Sequence, residues 1–438
     1  MINARLVTGL ASVLLLFGCT GPDGPSGSKG TDGPPGPQGA TGLAGPQGPG
    51  GAPGVADAGI GGGMPASCLS PCHGFNGVVS QWKASAHYVA YEVNLGTAEA
   101  DSWTAPGGAC GNCHAIDAIE QRLAGNVGTK NDGGVTNVTL GELEYKVPGT
   151  STVTDSTYAG SATVAAVHCT TCHAVTDAND PHKTGATWTD GSFPLRIASG
   201  PTDLAFIEKS PSTSAVTGMS IGAFGASNTC VSCHKSRKDV TSYITPTANV
   251  LSSTHWGPHE GPQADVFSGE GGYHYTGKTY NSSTHQVKLT CIDCHMSSVP
   301  TNSGVGDHSF NPKLSACQGC HTGATSFDMG GGQSTVKGEM FQFQVALNTA
   351  GYLTRSLAAP YLPLQPAELA DGNFELDQAR PGGPTLTGDQ AGAVYNYIII
   401  ARGGAMGVHN PTYVKQLIFD SFAAVNGNIP MPNVVRPQ

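Results

Sequence analysis

The chain carries no run of basic residues. Its 21 Lys and Arg stand against 31 Asp and Glu, a formal charge of −10. Phosphate binding needs a Lys/Arg footprint, so nucleic acid is excluded as a partner. Charge of either sign is scarce at 12% of residues, which sets the chain apart from highly charged disordered proteins. Apolar side chains reach only 38% and aromatic ones 7%. That is thin material for the core of a chain whose 438 residues suggest two or three domains. Something other than Leu, Ile and Phe must supply apolar volume, and a prosthetic group would do so. The apolar stretch Leu6 to Phe17, preceded by Arg5, is too short to span a bilayer as a stable helix and reads as a signal segment.

Glycine is what the chain has in quantity, with 62 residues. From Gly21 to Gly54 it recurs at every third position, with Pro22, Pro25, Pro34, Pro37, Pro46 and Pro49 following glycines. This is the collagen repeat, in which only glycine fits the axis of three polyproline-II strands. At about 3.1 Å per residue the stretch spans on the order of 100 Å, either as a homotrimeric stalk or as a single-chain spacer. Just before it, Leu16-Phe17-Gly18-Cys19 resembles the bacterial lipobox, in which the cysteine is lipidated and holds the protein to a membrane surface. An ordinary signal peptide with Cys19 near the cut is the alternative. The expected organisation is a lipoprotein signal peptide at 1–18, a lipidated Cys19 with stalk and linker at 19–66, a turn-rich domain at 67–328, and a helical C-terminal domain at 329–438. Alternation over Val135–Val147 suggests a short hairpin, and apolar spacing predicts helices over Val336–Tyr352, Thr387–Ile400 and Pro411–Val425.

Setting Cys19 aside leaves twelve of the 13 cysteines, and they fall into six close pairs. Five have two intervening residues and a histidine directly after: Cys110/Cys113-His114, Cys169/Cys172-His173, Cys230/Cys233-His234, Cys291/Cys294-His295 and Cys317/Cys320-His321. Two thioethers must reach one edge of a porphyrin while the next imidazole turns over the ring to meet the iron, and one helical turn does all three. Zinc ribbons and dithiol oxidoreductases use Cys-x-x-Cys without a trailing histidine. Histidine is 15 of 438 residues, so its presence after every one of these pairs is not chance. The pairs are covalent haem c sites. Cys68/Cys72-His73 has three intervening residues, including Pro71. It reads as a sixth haem site or as a disulfide near the stalk.

Nine histidines lie outside the motifs: His87, His168, His182, His255, His259, His274, His285, His308 and His409. Six haems with two axial histidines each would need six of them. Met296 is too close to His295 to reach the far face of the same haem, which favours bis-His ligation of low potential over His/Met.

On these motifs the chain resembles the multihaem cytochrome lipoproteins of metal-respiring bacteria, over most of residues 68–438. Trp82-Lys83-Ala84-Ser85-Ala86-His87 is similar to the family's helix presenting a distal ligand. His255-Trp256-Gly257-Pro258-His259-Glu260-Gly261-Pro262-Gln263 is similar to another. His285 ahead of Cys291, followed by Gly306-Asp307-His308-Ser309-Phe310, also matches the family pattern. Gly407-Val408-His409-Asn410-Pro411 resembles a His-Asn-Pro element of the multihaem nitrite and hydroxylamine reductase superfamily. The resemblance implies distal ligands at His87, His182, His259, His285, His308 and His409, with His168 and His255 in reserve and His274 a bystander. It also allows a widened motif at Cys68/Cys72 and, with Thr20 after Cys19, points to a surface-exposed lipoprotein of the outer membrane.

The fold expected is a mostly irregular and α-helical multihaem cytochrome c domain organised around stacked haems, with the stalk before it and the helical segment after it. Two functions follow. The first is an electron carrier passing electrons to other cytochromes or to an extracellular acceptor such as a metal oxide in anaerobic respiration. The alternative is a reductase of nitrite, hydroxylamine or a sulfur oxyanion at one open haem. The nitrite reductases of that superfamily mark the open haem with lysine in place of the motif histidine, and no motif here ends in lysine. A stalked adhesin with incidental haems is a third, structural class.

Overall fold

The computed structural model describes residues 77–88, 144–146, 153–155, 205–206, 219–220, 224–236, 238–258, 261–297, 306–354 and 377–438, with 167, 169–174, 178, 180, 183–185 and 194–197. The expected signal segment, Cys19 and the Gly-X-Y stretch lie outside these residues. The chain divides into two units at Gly61/Gly62, and every described residue falls in the second.

That unit is helical and irregular with little sheet. Its helices are α1 (Val78–Lys83), α2 (Cys169–Cys172), α3 (Asn228–Val231), α4 (Val240–Tyr243), α5 (Gln263–Ser268), α6 (Thr284–Lys288), α7 (Cys291–His295), α8 (Leu314–Gln318), α9 (Gly332–Thr349), α10 (Gly388–Gly403) and α11 (Pro411–Val425). Three two-residue or three-residue antiparallel pairs complete it. They are β1 (Glu144–Lys146) with β2 (Val153–Asp155), β3 (Ala205–Phe206) with β4 (Met219–Ser220), and β5 (Leu353–Thr354) with β6 (Gln378–Ala379). Of the stretch expected to hold a hairpin, 135–147, residues 144–146 are described, and Tyr145 pairs with Thr154 in a strand beyond that stretch. Among the described residues, no helix is long and apolar enough to cross a membrane.

The core belongs to the last three helices. Helix α10 is buried nearly all round, from Ala391 to Ala401, as a helix apolar on every side must be. It packs on α11, and α9 packs against both. Local chemistry fixes its ends. Thr387 and Gln390 form a reciprocal capping box, which satisfies two amides that have no partner inside the helix. Gly404 ends it in the left-handed conformation at φ 69°. Gly392 is required by proximity, since a Cβ there would lie 2.2 Å from the Tyr273 ring. Helix α11 starts on an Asn410 cap that accepts from Tyr413 N at 3.1 Å, with Pro411 in the first turn. The core does not begin at residue 329, because Val240, Ile244, Leu251, Trp256 and Val266 share it with Phe343, Tyr397 and Leu417.

The irregular stretch 270–281 is held to these helices by side-chain bonds. Asn396 Oδ1 accepts from Tyr273 N at 2.7 Å and its Nδ2 donates to Tyr273 O at 2.9 Å. Tyr413 Oη accepts from Gly272 N at 2.9 Å, and Gln416 Oε1 accepts from Asn281 N at 3.0 Å. Arg436 bonds Asp420 at 2.9 Å and Thr279 O at 2.7 Å. A segment without regular backbone pairing thereby satisfies its amides, and it delivers α6 and α7 to fixed positions.

Candidate haem sites

Each described Cys-x-x-Cys-His motif closes one turn. The histidine amide donates to the carbonyl of the first cysteine at 2.9 Å in His173, 2.9 Å in His234 and 2.8 Å in His321. In the fourth, Cys291–His295 is helix α7 itself, capped by Thr290 and Asp293. Residues i, i+3 and i+4 share a helix face, so the two thiols and the imidazole emerge on one side. This is the local reason for the spacing.

At two positions, Cys233 and Cys320, the turn that holds both thiols runs past the end of its helix. Cys172 and Cys294 lie within α2 and α7. Helix α3 instead ends at Val231 and helix α8 at Gln318, so Cys233 and Cys320 fall in the turns that follow. The reason is a tightened backbone. Cys233 N donates to Cys230 O at 3.2 Å and Cys320 N to Cys317 O at 3.1 Å. These are bonds across three residues, the pattern that commonly closes a helix end. Cys320 is also exposed, whereas Cys233 and Cys317 are half-buried. Their predicted thioether roles therefore rest on the motif and on the histidine bond that still closes each turn.

None of the eight described motif cysteines forms a disulfide. Burial pushes Cys172 up to about 11, with the neighbouring Cys169 adding to it. Cys230 is raised by its hydrogen bond with Cys291 and by burial, and burial raises Cys294. The same bond with Cys230 lowers Cys291. Among the described residues no group of three or more His, Cys, Asp or Glu could hold a metal ion alone.

Four motif histidines each face one non-motif histidine. Ring centroids are 5.8 Å apart for His234 and His87, 6.2 Å for His295 and His409, 6.2 Å for His321 and His285, and 6.2 Å for His173 and His308. With nitrogen–metal bonds of about 2.0 Å and a ring centre about 1.1 Å behind each nitrogen, two imidazoles on one iron stand roughly 6 Å apart. The residues fit a haem held from both faces.

Hydrogen bonding selects the nitrogen. His234 Nδ1 meets Gln263 Oε1 at 3.0 Å, His295 Nδ1 meets Phe310 O at 2.9 Å, His285 Nδ1 meets Val408 O at 3.0 Å, and His308 Nδ1 meets Gly306 O at 2.9 Å. Carbonyl oxygens only accept, so Nδ1 carries the proton and Nε2 the lone pair a metal would take. Gln263 is itself oriented, since its Nε2 donates to Gly403 O at 3.2 Å. His409 Nδ1 is buried without a hydrogen-bond partner. Burial, then His234, lowers His87 to about 4, and burial, then His295, lowers His409 to about 4. Neutral imidazole is the ligand form.

His274 is arranged otherwise. It stacks on Tyr280 at 4.2 Å, and its Nε2 bonds Tyr413 Oη at 2.8 Å, so the nitrogen a metal would take is engaged. His255 is exposed. The predicted residues Cys68, Cys72, His73, Cys110, Cys113, His114, His168, His182 and His259 lie outside the described residues. Sequence reading assigned no role to Gln263, Phe310 or the Val408 carbonyl. All three sit inside the strings that carried the family resemblance, which was the available signal.

No family model matches the chain, and no curated protein matches it. It is similar to the crystal structure of the outer cell wall cytochrome OcwA, with a TM-score of 0.40 and 16% identity over 80% of this chain and 50% of that one. The chain thus spans about half the length of that structure.

Proposed function

We propose that the protein is a multihaem c-type cytochrome that carries electrons, with each described haem ligated by two histidines. The axial pairs are His234/His87, His295/His409, His321/His285 and His173/His308, and the thioethers are formed by the cysteine pair ahead of each motif histidine. Sites at Cys110/Cys113-His114 and Cys68/Cys72-His73 bring the number to six, with His182 and His259 as their distal ligands. The observation that carries the reading is the set of four histidine pairs 5.8–6.2 Å apart. When bound, such a haem takes up and gives back one electron at a low potential. The protein's own part is to fix His234, His285, His295 and His308 through Nδ1 and to present an imidazole from both sides, which would leave none of the four irons a free position. The lipobox and Gly-X-Y stretch support a lipid-anchored protein facing outward from the outer membrane, with other cytochromes or a metal oxide as acceptor.

Electron paramagnetic resonance of the oxidised protein is expected to give low-spin ferric signals alone. A high-spin signal that shifts on adding nitrite or cyanide would overturn the carrier reading in favour of a reductase. Intact mass should show six covalent haems, and five would remove the Cys68 site. His409→Ala is expected to keep the haem count while turning one low-spin signal high-spin.

A further inference from the structure

We infer that Phe310 is a shared positioning residue, whose ring and carbonyl together orient axial imidazoles of three neighbouring haem sites. The inference rests on the axial pairing proposed above.

The observations converge on one residue. The Phe310 ring lies edge-on to the His87 imidazole, centroids 4.9 Å apart at 71°. It stands 5.9 Å from the His308 imidazole at 63°. Its carbonyl accepts from His295 Nδ1 at 2.9 Å. His87 faces His234, His308 faces His173, and His295 faces His409. One residue therefore touches three of the four described pairs, and its carbonyl bond to His295 leaves Nε2 open.

The backbone at Phe310 is unusual. Its φ is 56°, in the left-handed region that costs a bulky residue and that occurs where surrounding structure enforces it. Here the surroundings do so. Asp307 N donates to Met296 O at 3.1 Å, and Phe310 N donates to Asp307 O at 3.4 Å. The Asp307 carboxylate accepts from Ser309 N at 2.9 Å and pairs with Lys313. His308 N donates to Gln81 Oε1 at 3.0 Å. The loop 306–310 is thus bound to the end of α7, to α1 and to the start of α8. At this φ the Phe310 carbonyl meets His295 Nδ1 and its ring packs against His87 and His308.

The physical effect is rotational. An imidazole free to turn about its bond to iron has no fixed ring plane, and the plane sets the splitting of the iron d orbitals. Edge-to-face contacts and a single Nδ1–H acceptor remove that freedom. Because one residue does this at three sites, their spectra and potentials are coupled through it.

Three substitutions separate the parts. Phe310→Gly accepts φ 56° and keeps the carbonyl but deletes the ring. The low-spin signals of the His87 and His308 sites are expected to shift and broaden, and that of the His295 site to stay. Phe310→Val should shift all three, because a β-branched side chain resists the left-handed backbone more than Phe does and moves the carbonyl. Phe310→Tyr retains ring and backbone and should leave the wild-type spectrum in place. Signals are assigned beforehand with His87→Met, His308→Met and His409→Met, each of which alters one. Intact mass confirms full haem loading of every variant before its spectrum is read. If Phe310→Val and Phe310→Gly leave all signals and midpoint potentials unchanged, or move one site only, the shared role is wrong while bis-His ligation stands. If the unmodified protein lacks low-spin signals at these sites, the pairing itself has failed, which is a different result.

Discussion

Two regions of this molecule are built by different means. Residues 332–425 hold three long helices around Phe343, Tyr395, Tyr397, Tyr413 and Leu417, all fully buried. Residues 224–321 hold short helices of four to six residues, and their own cluster is Phe224, Val231 and Ala264 with Phe267 and Cys291 against it. Isolated helices of that length are unstable in water. The first region buries enough apolar side chain to fold by ordinary packing. The second brings reduced thiols and opposed imidazoles to spacings that a haem would fill, and the missing apolar volume noted from composition belongs there. The regions nonetheless share a boundary, since Val240, Leu251, Trp256 and Val266 join the helical core.

The contrast can be broken most forcefully by withholding haem. Produced in a host that cannot attach haem, the chain is expected to exchange amides of 224–321 rapidly while α9, α10 and α11 stay protected. Hydrogen exchange read by mass spectrometry measures this, and equal protection in both regions would remove the distinction. Phe343→Ala tests the other side. It should cost about 3–5 kcal/mol by leaving a cavity in the helical core, seen as a lowered melting temperature with the Soret and low-spin signals unchanged. Thr387→Ala removes the cap of α10 and is expected to cost about 1 kcal/mol, again without spectral change. His274→Gln sharpens the comparison from the site's edge. Loss of the stack on Tyr280 and the bond to Tyr413 should cost about 1 kcal/mol or less, with every haem signal intact. A lost low-spin signal in that variant would make His274 a ligand.

Part of this was legible in residue order. The prediction of a helix over Pro411–Val425 matches α11, because Asn410-Pro411 is a strong start signal and the apolar spacing is regular. Val336–Tyr352 and Thr387–Ile400 are offset from α9 and α10 by a few residues, where Gly332 and Gly403 extend the helices without apolar side chains to mark them. The strand β2 at Val153–Asp155 was not legible, because three residues carry too little alternation to register. The early ends of α3 and α8, which leave Cys233 and Cys320 in turns, were not legible either. The same spacing keeps Cys172 and Cys294 helical, so the motif does not decide where its helix stops. Nor were the roles of Gln263 and of the Val408 and Phe310 carbonyls. A backbone carbonyl has no letter in the sequence, and Gln263 matters only through the ring it meets 29 positions away.

The sequence by itself determined the Cys-x-x-Cys-His turns. Cysteines at i and i+3 with histidine at i+4 share one face of a turn, a local geometry that the spacing alone dictates. Which imidazole faces which is a property of the tertiary structure. His285, six positions before Cys291, stands opposite His321 instead, and His87 stands opposite His234 although a long stretch of chain intervenes. The second imidazole must come from across the site, on another segment, and its approach is set by the side-chain bonds that fix 270–281 and by the loop at Phe310. No spacing rule encodes those contacts, because their partners are far apart in sequence and meet only once the chain is folded.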